Sequence, residues 1–72
     1  MKLINALKKE ADSAQDKINK LSWFIEDSPL FRDYSDVQKA LTATQLNVLI
    51  AYKHILLERV HYLEKENNET NR

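Results

Sequence analysis

The chain contains no glycine and no cysteine, and its only proline is Pro29. Without cysteine it can form neither a disulfide nor a thiolate metal site, and without glycine it cannot build a glycine-rich phosphate loop. It also lacks a net charge, since eleven basic residues balance eleven acidic ones. A neutral chain has no overall field that attracts polyanions, so we expect no DNA, RNA or membrane partner.

Long apolar runs are missing as well. Lys8, Lys9 and Glu10 interrupt the first apolar stretch, which leaves no continuous apolar core for a secretory signal. No later stretch reaches the roughly 18 apolar residues that a membrane-spanning helix needs. We therefore expect a cytoplasmic protein.

Helix-breaking signals fall at one point and predict two helices within a single domain over residues 1–66. Pro29 disfavours helical backbone at Ser28 and has no backbone donor, so we expect helix one over about 2–27 and a connector over 28–35. Ser35 and Gln38 have capping-box spacing, which predicts helix two over about 36–66 and a polar, disordered tail over 67–72. In the connector, Leu30, Phe31 and Tyr34 should cap the open end of the helix pair. The apolar positions of helix one recur every three or four residues: Leu3, Leu7, Ala11, Ala14, Ile18, Leu21 and Ile25.

Helix two carries two apolar stripes, whereas one partner helix buries only about one. The first stripe consists of Val37, Leu41, Thr44, Val48, Ala51, Ile55 and Tyr62. The second is wider, and we expect it to form an interface between copies of the chain: Leu46, Leu49, Ile50, Leu56, Leu57, Val60 and Leu63. The predicted fold is therefore all-α, a two-helix antiparallel hairpin that assembles into a homo-oligomeric helical bundle, a dimer or larger.

Catalytic and metal-binding patterns are weak. Glu58 and His61 have the Glu-x-x-His spacing of di-iron bundles, but the apolar stripe of helix one offers no further carboxylates, so a surface pair is the better interpretation. Neither His54 nor His61 has a serine or cysteine nucleophile at a typical spacing. We expect no metal, no cofactor and no enzymatic activity.

Aromatic and cationic residues suggest a binding site instead. Trp23 and Tyr52 could stack on flat rings, although Trp23 with Phe24 could equally form an apolar lid over the bundle. Five cations could bind phosphate, or could simply be solvated: Lys17, Lys20, Arg32, Lys53 and Arg59. The residues that we predict to bind a ligand are Trp23, Arg32, Tyr34, Tyr52, Lys53 and Arg59.

The stretch "FIEDSPLF" and the spacing of helix two carry a family resemblance. Gln45, Leu46, Leu49, Tyr52, Ile55, Leu56, Arg59 and Val60 fit the pattern Q-[LA]-x-x-[ML]-x-x-Y-x-x-I-L-x-x-R-[IV]. Over about residues 18 to 60 the chain resembles small proteins of crAss-like bacteriophages, a group of unassigned function. Where that group often has methionine, this chain has Val48 and Leu49.

Small helical phage proteins of this general kind include sponges that sequester the cyclic nucleotide signals of bacterial antiviral systems such as CBASS and Thoeris. The resemblance therefore implies a phage protein of the host bacterial cytoplasm that binds a cyclic di- or trinucleotide. The analogy is one of architecture. The alternative is a homo-oligomeric interaction module whose helix two docks onto a host or phage protein through Leu46, Leu49, Ile50 and Leu57.

Overall fold

The structure, a computed structural model, describes residues 1–70, with side chains up to Asn67. It comprises α1 (Lys2–Asp27), a single turn α2 (Pro29–Arg32) and α3 (Asp36–Thr70). The predicted all-α class is confirmed, since the described residues contain no strand. Helix α3 continues four residues past the predicted end at Glu66, and residues 71–72 of the predicted tail lie outside the described residues.

Two serines punctuate the chain between the long helices. Ser28 is extended, with φ −84° and ψ 128°, because the following Pro29 excludes helical backbone there. Its hydroxyl accepts a hydrogen bond of 3.3 Å from the Leu30 amide and so caps α2. Ser35 likewise accepts from the Gln38 amide at 3.2 Å, and α3 begins directly after it.

Helices α1 and α3 lie side by side with opposite chain directions. Lys8 near the start of α1 pairs with Glu64 near the end of α3 at 3.8 Å, and the Asn67 side chain donates to the Met1 sulfur at 3.3 Å. Further along, Lys53 donates to Gln15. The molecule is a rod with extents of 58 × 16 × 14 Å.

The core along α1 follows the first part of the predicted stripe with one change, whereas Leu21 and Ile25 at its end are only half-buried. Ile4 is buried in place of Leu3, which is largely exposed. The small residues Ala11 and Ala14 let α3 approach closely, and Ala11 packs in one cluster with Leu56. The buried positions of α1 keep the steps of three and four: Ile4, Leu7, Ala11, Ala14 and Ile18.

The two stripes of α3 have exchanged the roles that the sequence suggested. Leu56 and Val60, which we assigned to an interface between copies, are buried against α1 within one chain. Leu46, Leu49 and Leu63 are half-buried on the same side, whereas Ile50 and Leu57 are exposed. The stripe that we expected α1 to cover is exposed instead, and we name it the outer stripe: Val37, Leu41, Thr44, Val48, Ala51, Ile55 and Tyr62.

Aromatic rings close one end of the rod. Phe24 lies 5.9 Å from Phe31 and 5.6 Å from Tyr34, measured between ring centroids, and Phe31 lies 6.0 Å from Tyr34. The rings meet edge-on or tilted, as aromatic pairs prefer. Phe31 and Tyr34 therefore cap the helix pair as predicted, but Leu30 points to solvent with 66% of its surface exposed.

Candidate functional site

A groove with lysine and aromatic side chains runs along one side of the helix pair. A depression of about 500 Å³ is lined by residues that include Lys17, Lys20 and Phe24 of α1 and Gln45 of α3. A second one of about 160 Å³ continues it to Tyr52, and Lys17 and Leu49 line both depressions. We name this continuous surface the lysine–tyrosine groove: Lys17, Lys20, Phe24, Gln45, Leu49 and Tyr52.

Helix geometry explains why these residues line one groove. Lys17, Lys20 and Phe24 follow one another by three and four positions, so they share a face of α1 beside its buried stripe. Gln45, Leu49 and Tyr52 do the same on α3. The antiparallel pairing of α1 and α3 places the two faces next to each other.

Tyr52 forms a hydrogen bond with a carboxylate at the edge of the groove. Its hydroxyl donates a hydrogen bond to Glu10 Oε1, and Glu10 lines the smaller depression. This hydrogen bond, followed by desolvation and the Glu10 charge, raises the pKa of the Tyr52 hydroxyl above 10.0, while Arg59 acts in the opposite direction. Glu10 thus holds the ring edge of Tyr52 against α1 and offsets part of the positive charge of the lysines.

We expect replacement of Glu10 by alanine to lower the pKa of the Tyr52 hydroxyl towards its ordinary value. The change removes both the hydrogen bond and the negative charge that favour the protonated phenol. Ultraviolet absorbance titration measures this pKa in a chain that also carries Tyr34→Phe and Tyr62→Phe, so that Tyr52 is its sole tyrosine. The matched control is Glu26→Ala, and an equal pKa in both variants would contradict the described contact.

The residues predicted to bind a ligand are spread along the rod. Trp23 is 60% exposed and lines a depression of about 470 Å³ that shares Lys20 and Phe24 with the lysine–tyrosine groove. Tyr34 touches Phe24 from the connector, and Arg32 is exposed at the end of α2. Trp23 and Tyr52 therefore lie at the two ends of one continuous surface.

Two of the cations that we predicted to bind a ligand lie outside the lysine–tyrosine groove. Lys53 is half-buried on the α1-facing side of α3, where it donates to Gln15, so it does not share a helix face with Tyr52. Arg59 lines a neighbouring depression of about 400 Å³ with residues that include Tyr62 and Leu3. It is nevertheless close enough to Tyr52 to act on the pKa of its hydroxyl.

A scan against protein families identifies the chain. The Sequestin family model matches residues 1–62, which covers α1, the connector and most of α3, including every residue of the lysine–tyrosine groove. The chain belongs to the Sequestin family. No curated protein and no solved structure matches it.

The described part of this Sequestin chain offers neither a metal cluster nor a membrane-spanning helix. Among the side chains that the structure describes, residues 1–67, no three His, Asp or Glu come together as a metal ion would require. None of the described helices is long and apolar enough to cross a membrane.

The sequence of this Sequestin chain pointed to several residues of the groove but not to their arrangement. Lys17 and Lys20 were considered as phosphate-binding cations, but Glu10, Gln45 and Leu49 were not connected with Tyr52. The missing signal was the register between the helices. Pairing residues near 8 with residues near 64, as the Lys8–Glu64 contact does, would have placed Lys17 beside the middle of α3, close to Tyr52.

Proposed function

We propose that this chain is a phage-encoded, non-enzymatic binding protein that sequesters a cyclic nucleotide signal of bacterial immunity. The observation that carries the proposal is the lysine–tyrosine groove, where Lys17 and Lys20 lie beside Tyr52 and Phe24. The name of the family, Sequestin, also suggests sequestration. The protein would act in the cytoplasm of the host bacterium.

The chemistry of the groove suits a nucleotide. Lysine ammonium groups bind phosphate as point charges, and an aromatic face supports base stacking worth about 1–3 kcal/mol per base. Trp23 adjoins the groove through Lys20 and Phe24, so a second base could stack there. Holding a signal out of solution needs affinity alone, which is why a groove without a reaction centre would suffice.

Calorimetric titration with a panel of cyclic di- and trinucleotides tests the proposal. We expect binding heat for at least one cyclic member, none for inorganic phosphate at the same concentration, and recovery of the intact ligand after the protein is denatured. The intact ligand distinguishes sequestration from hydrolysis. Absence of heat for every nucleotide at tens of micromolar would refute the proposal.

The outer stripe favours a second candidate, an interaction module for a host or phage protein. Such docking would use the outer stripe together with Ile50 and Leu57, which are exposed. Leu46 and Leu49 are not available for it because they face α1. Sedimentation separates the two candidates. A stable homo-oligomer that covers the outer stripe favours the nucleotide sponge, whereas a monomer with an open stripe favours docking of another protein.

A further inference from the structure

The outer stripe of α3 is built like the inside of a helix bundle. Its residues recur at steps of four and three from Val37 to Ile55, the spacing of a coiled-coil seam, and Tyr62 follows seven positions later. Val48, at its centre, is 61% exposed in the single chain. The hydroxyl of Thr44 donates to the Ala40 carbonyl at 2.9 Å, so burial of Thr44 would leave no unpaired donor.

Charge is depleted on the outward side of α3 between residues 37 and 57. Formal charges within residues 37–57 are limited to Lys39 and Lys53, and both are half-buried, with the spacing of the α1-facing side. Helix α1 is different, because its exposed residues include many of both signs, such as Lys9, Asp12 and Asp16. Depletion of charge at the centre of a surface is the compositional mark of an interface. Helix α3 has this mark on its outward side, and α1 does not.

We infer that the outer stripe pairs with the same stripe of a second copy, antiparallel about a twofold axis near Val48, and that this pairing joins two lysine–tyrosine grooves into one pocket. The ligand of that pocket would carry two phosphates and two bases related by the same axis, the chemistry of a cyclic dinucleotide. The ligand class rests on the proposed function, whereas the pairing of the chains rests on the outer stripe alone.

Charge at the end of the stripe selects the antiparallel direction. Glu58 continues the spacing of the stripe between Ile55 and Tyr62, and Arg59 follows it. A parallel pair would set Glu58 against its own copy and Arg59 near its own copy, and like charges opposite one another are destabilising. In an antiparallel pair centred on Val48, Arg59 lies instead at the level of the partner subunit's Val37, beside Asp36 of the partner subunit.

The position of the groove on α3 explains why two grooves meet. Gln45 and Tyr52 lie seven residues apart, between the side that faces α1 and the outer stripe. They lie about 5 Å and about 6 Å along the helix from Val48, on opposite sides of it. Antiparallel pairing therefore brings Tyr52 level with Gln45 of the partner subunit, on the same flank of the dimer.

The joined pocket has the composition that a doubly phosphorylated ligand needs. Each chain contributes Lys17, Lys20 and Tyr52, so the pocket holds each of these groups twice, related by the axis. One groove alone is open to solvent over its larger depression. The second copy would cover it and supply the second set of contacts, which makes the site incomplete in a single chain.

Disulfide formation tests the pairing, because the chain has no cysteine of its own. We expect Val48→Cys to form a covalent dimer under mild oxidation. Leu41→Cys and Ile55→Cys should not cross-link alone, since each residue would lie about 21 Å from its own copy, and a disulfide needs Cα atoms within about 7 Å. A mixture of the two variants should give the mixed dimer. Self-linking at all three positions indicates a parallel pair, and no linking at any position indicates no pairing; both results overturn the inference.

Binding stoichiometry tests the joined pocket. For the cyclic dinucleotide we expect one ligand per two chains, and Val48→Glu should yield a helical monomer with at least tenfold weaker binding. Asn5→Glu, on exposed α1 surface, is the control and should leave both properties unchanged. Circular dichroism verifies that Val48→Glu folds.

Two results would separate the joined pocket from the proposed binding of a cyclic nucleotide. If Val48→Glu is monomeric and binds one ligand per chain with full affinity, the joined pocket is wrong and the sponge stands. If the cross-links form as described but no nucleotide binds, the pairing stands, and both the sponge and the ligand assigned to the pocket are wrong.

Discussion

Replacing Leu56 with alanine is expected to lower the free energy of unfolding by about 2–5 kcal/mol, the usual cost of truncating a buried leucine. Leu56 is 2% exposed and packs in the buried apolar cluster with Ile4, Leu7, Ala11 and Val60. A domain of this size has a total stability of only about 5 kcal/mol or less from one core. Urea unfolding followed by circular dichroism should therefore find the variant largely unfolded.

The neighbouring leucine supplies the control. Leu57→Ala removes the same atoms one position along the helix, but Leu57 is 45% exposed, so we expect a loss of less than about 1 kcal/mol. The contrast between the two leucines tests which side of α3 faces α1. Equal losses, or a larger loss for Leu57, would mean that α3 is rotated about its axis relative to the described packing.

Replacing Lys17 and Lys20 together with glutamine is expected to weaken binding of the cyclic nucleotide by at least about tenfold. A hydrogen bond to a charged group is worth about 1.5–3 kcal/mol, and exposure of the groove reduces that value for each lysine. Both side chains line the same depression, so their losses should combine. Calorimetry with the ligand identified from the panel measures the change.

Two further variants give this experiment its controls. Lys2→Gln with Lys9→Gln removes the same charge from exposed positions of α1 outside the groove, and we expect near-normal affinity. Glu10→Ala removes a negative charge from the groove and should strengthen binding of an anion. If Lys2→Gln with Lys9→Gln weakens binding as much as the paired change at Lys17 and Lys20, binding follows overall charge, and the groove is not the site.

The helices of this chain were predictable from local rules. Steps of three and four between apolar residues require a helix whatever it packs against, and α1 covers Lys2–Asp27 because only Pro29 interrupts the pattern. Ser35 placed the start of α3 through a hydrogen bond that reaches three residues along the chain. The aromatic cap was also foreseeable, since Phe24, Phe31 and Tyr34 are close in sequence.

The composition of the site depends on longer distances. Tyr52 could be recognised as an aromatic candidate from its position in helix two, but Glu10, 42 positions away, could not be recognised as its partner. Lys53 looked equivalent to the other cations, yet it lies between the helices beside Gln15. Contacts of this kind depend on the register and rotation of one helix against another, which the periodicity within each helix does not contain.

The sequence by itself determined that this protein is two long helices with one break, and that helix two carries more apolar surface than helix one can cover. Only the tertiary structure decided which stripe is covered. Both stripes of α3 have the same spacing, so periodicity ranks them equally. Packing separates them, because Ala11 and Ala14 leave room for Leu56 and its neighbours, and this choice leaves Val48 outward and places Tyr52 beside Lys17.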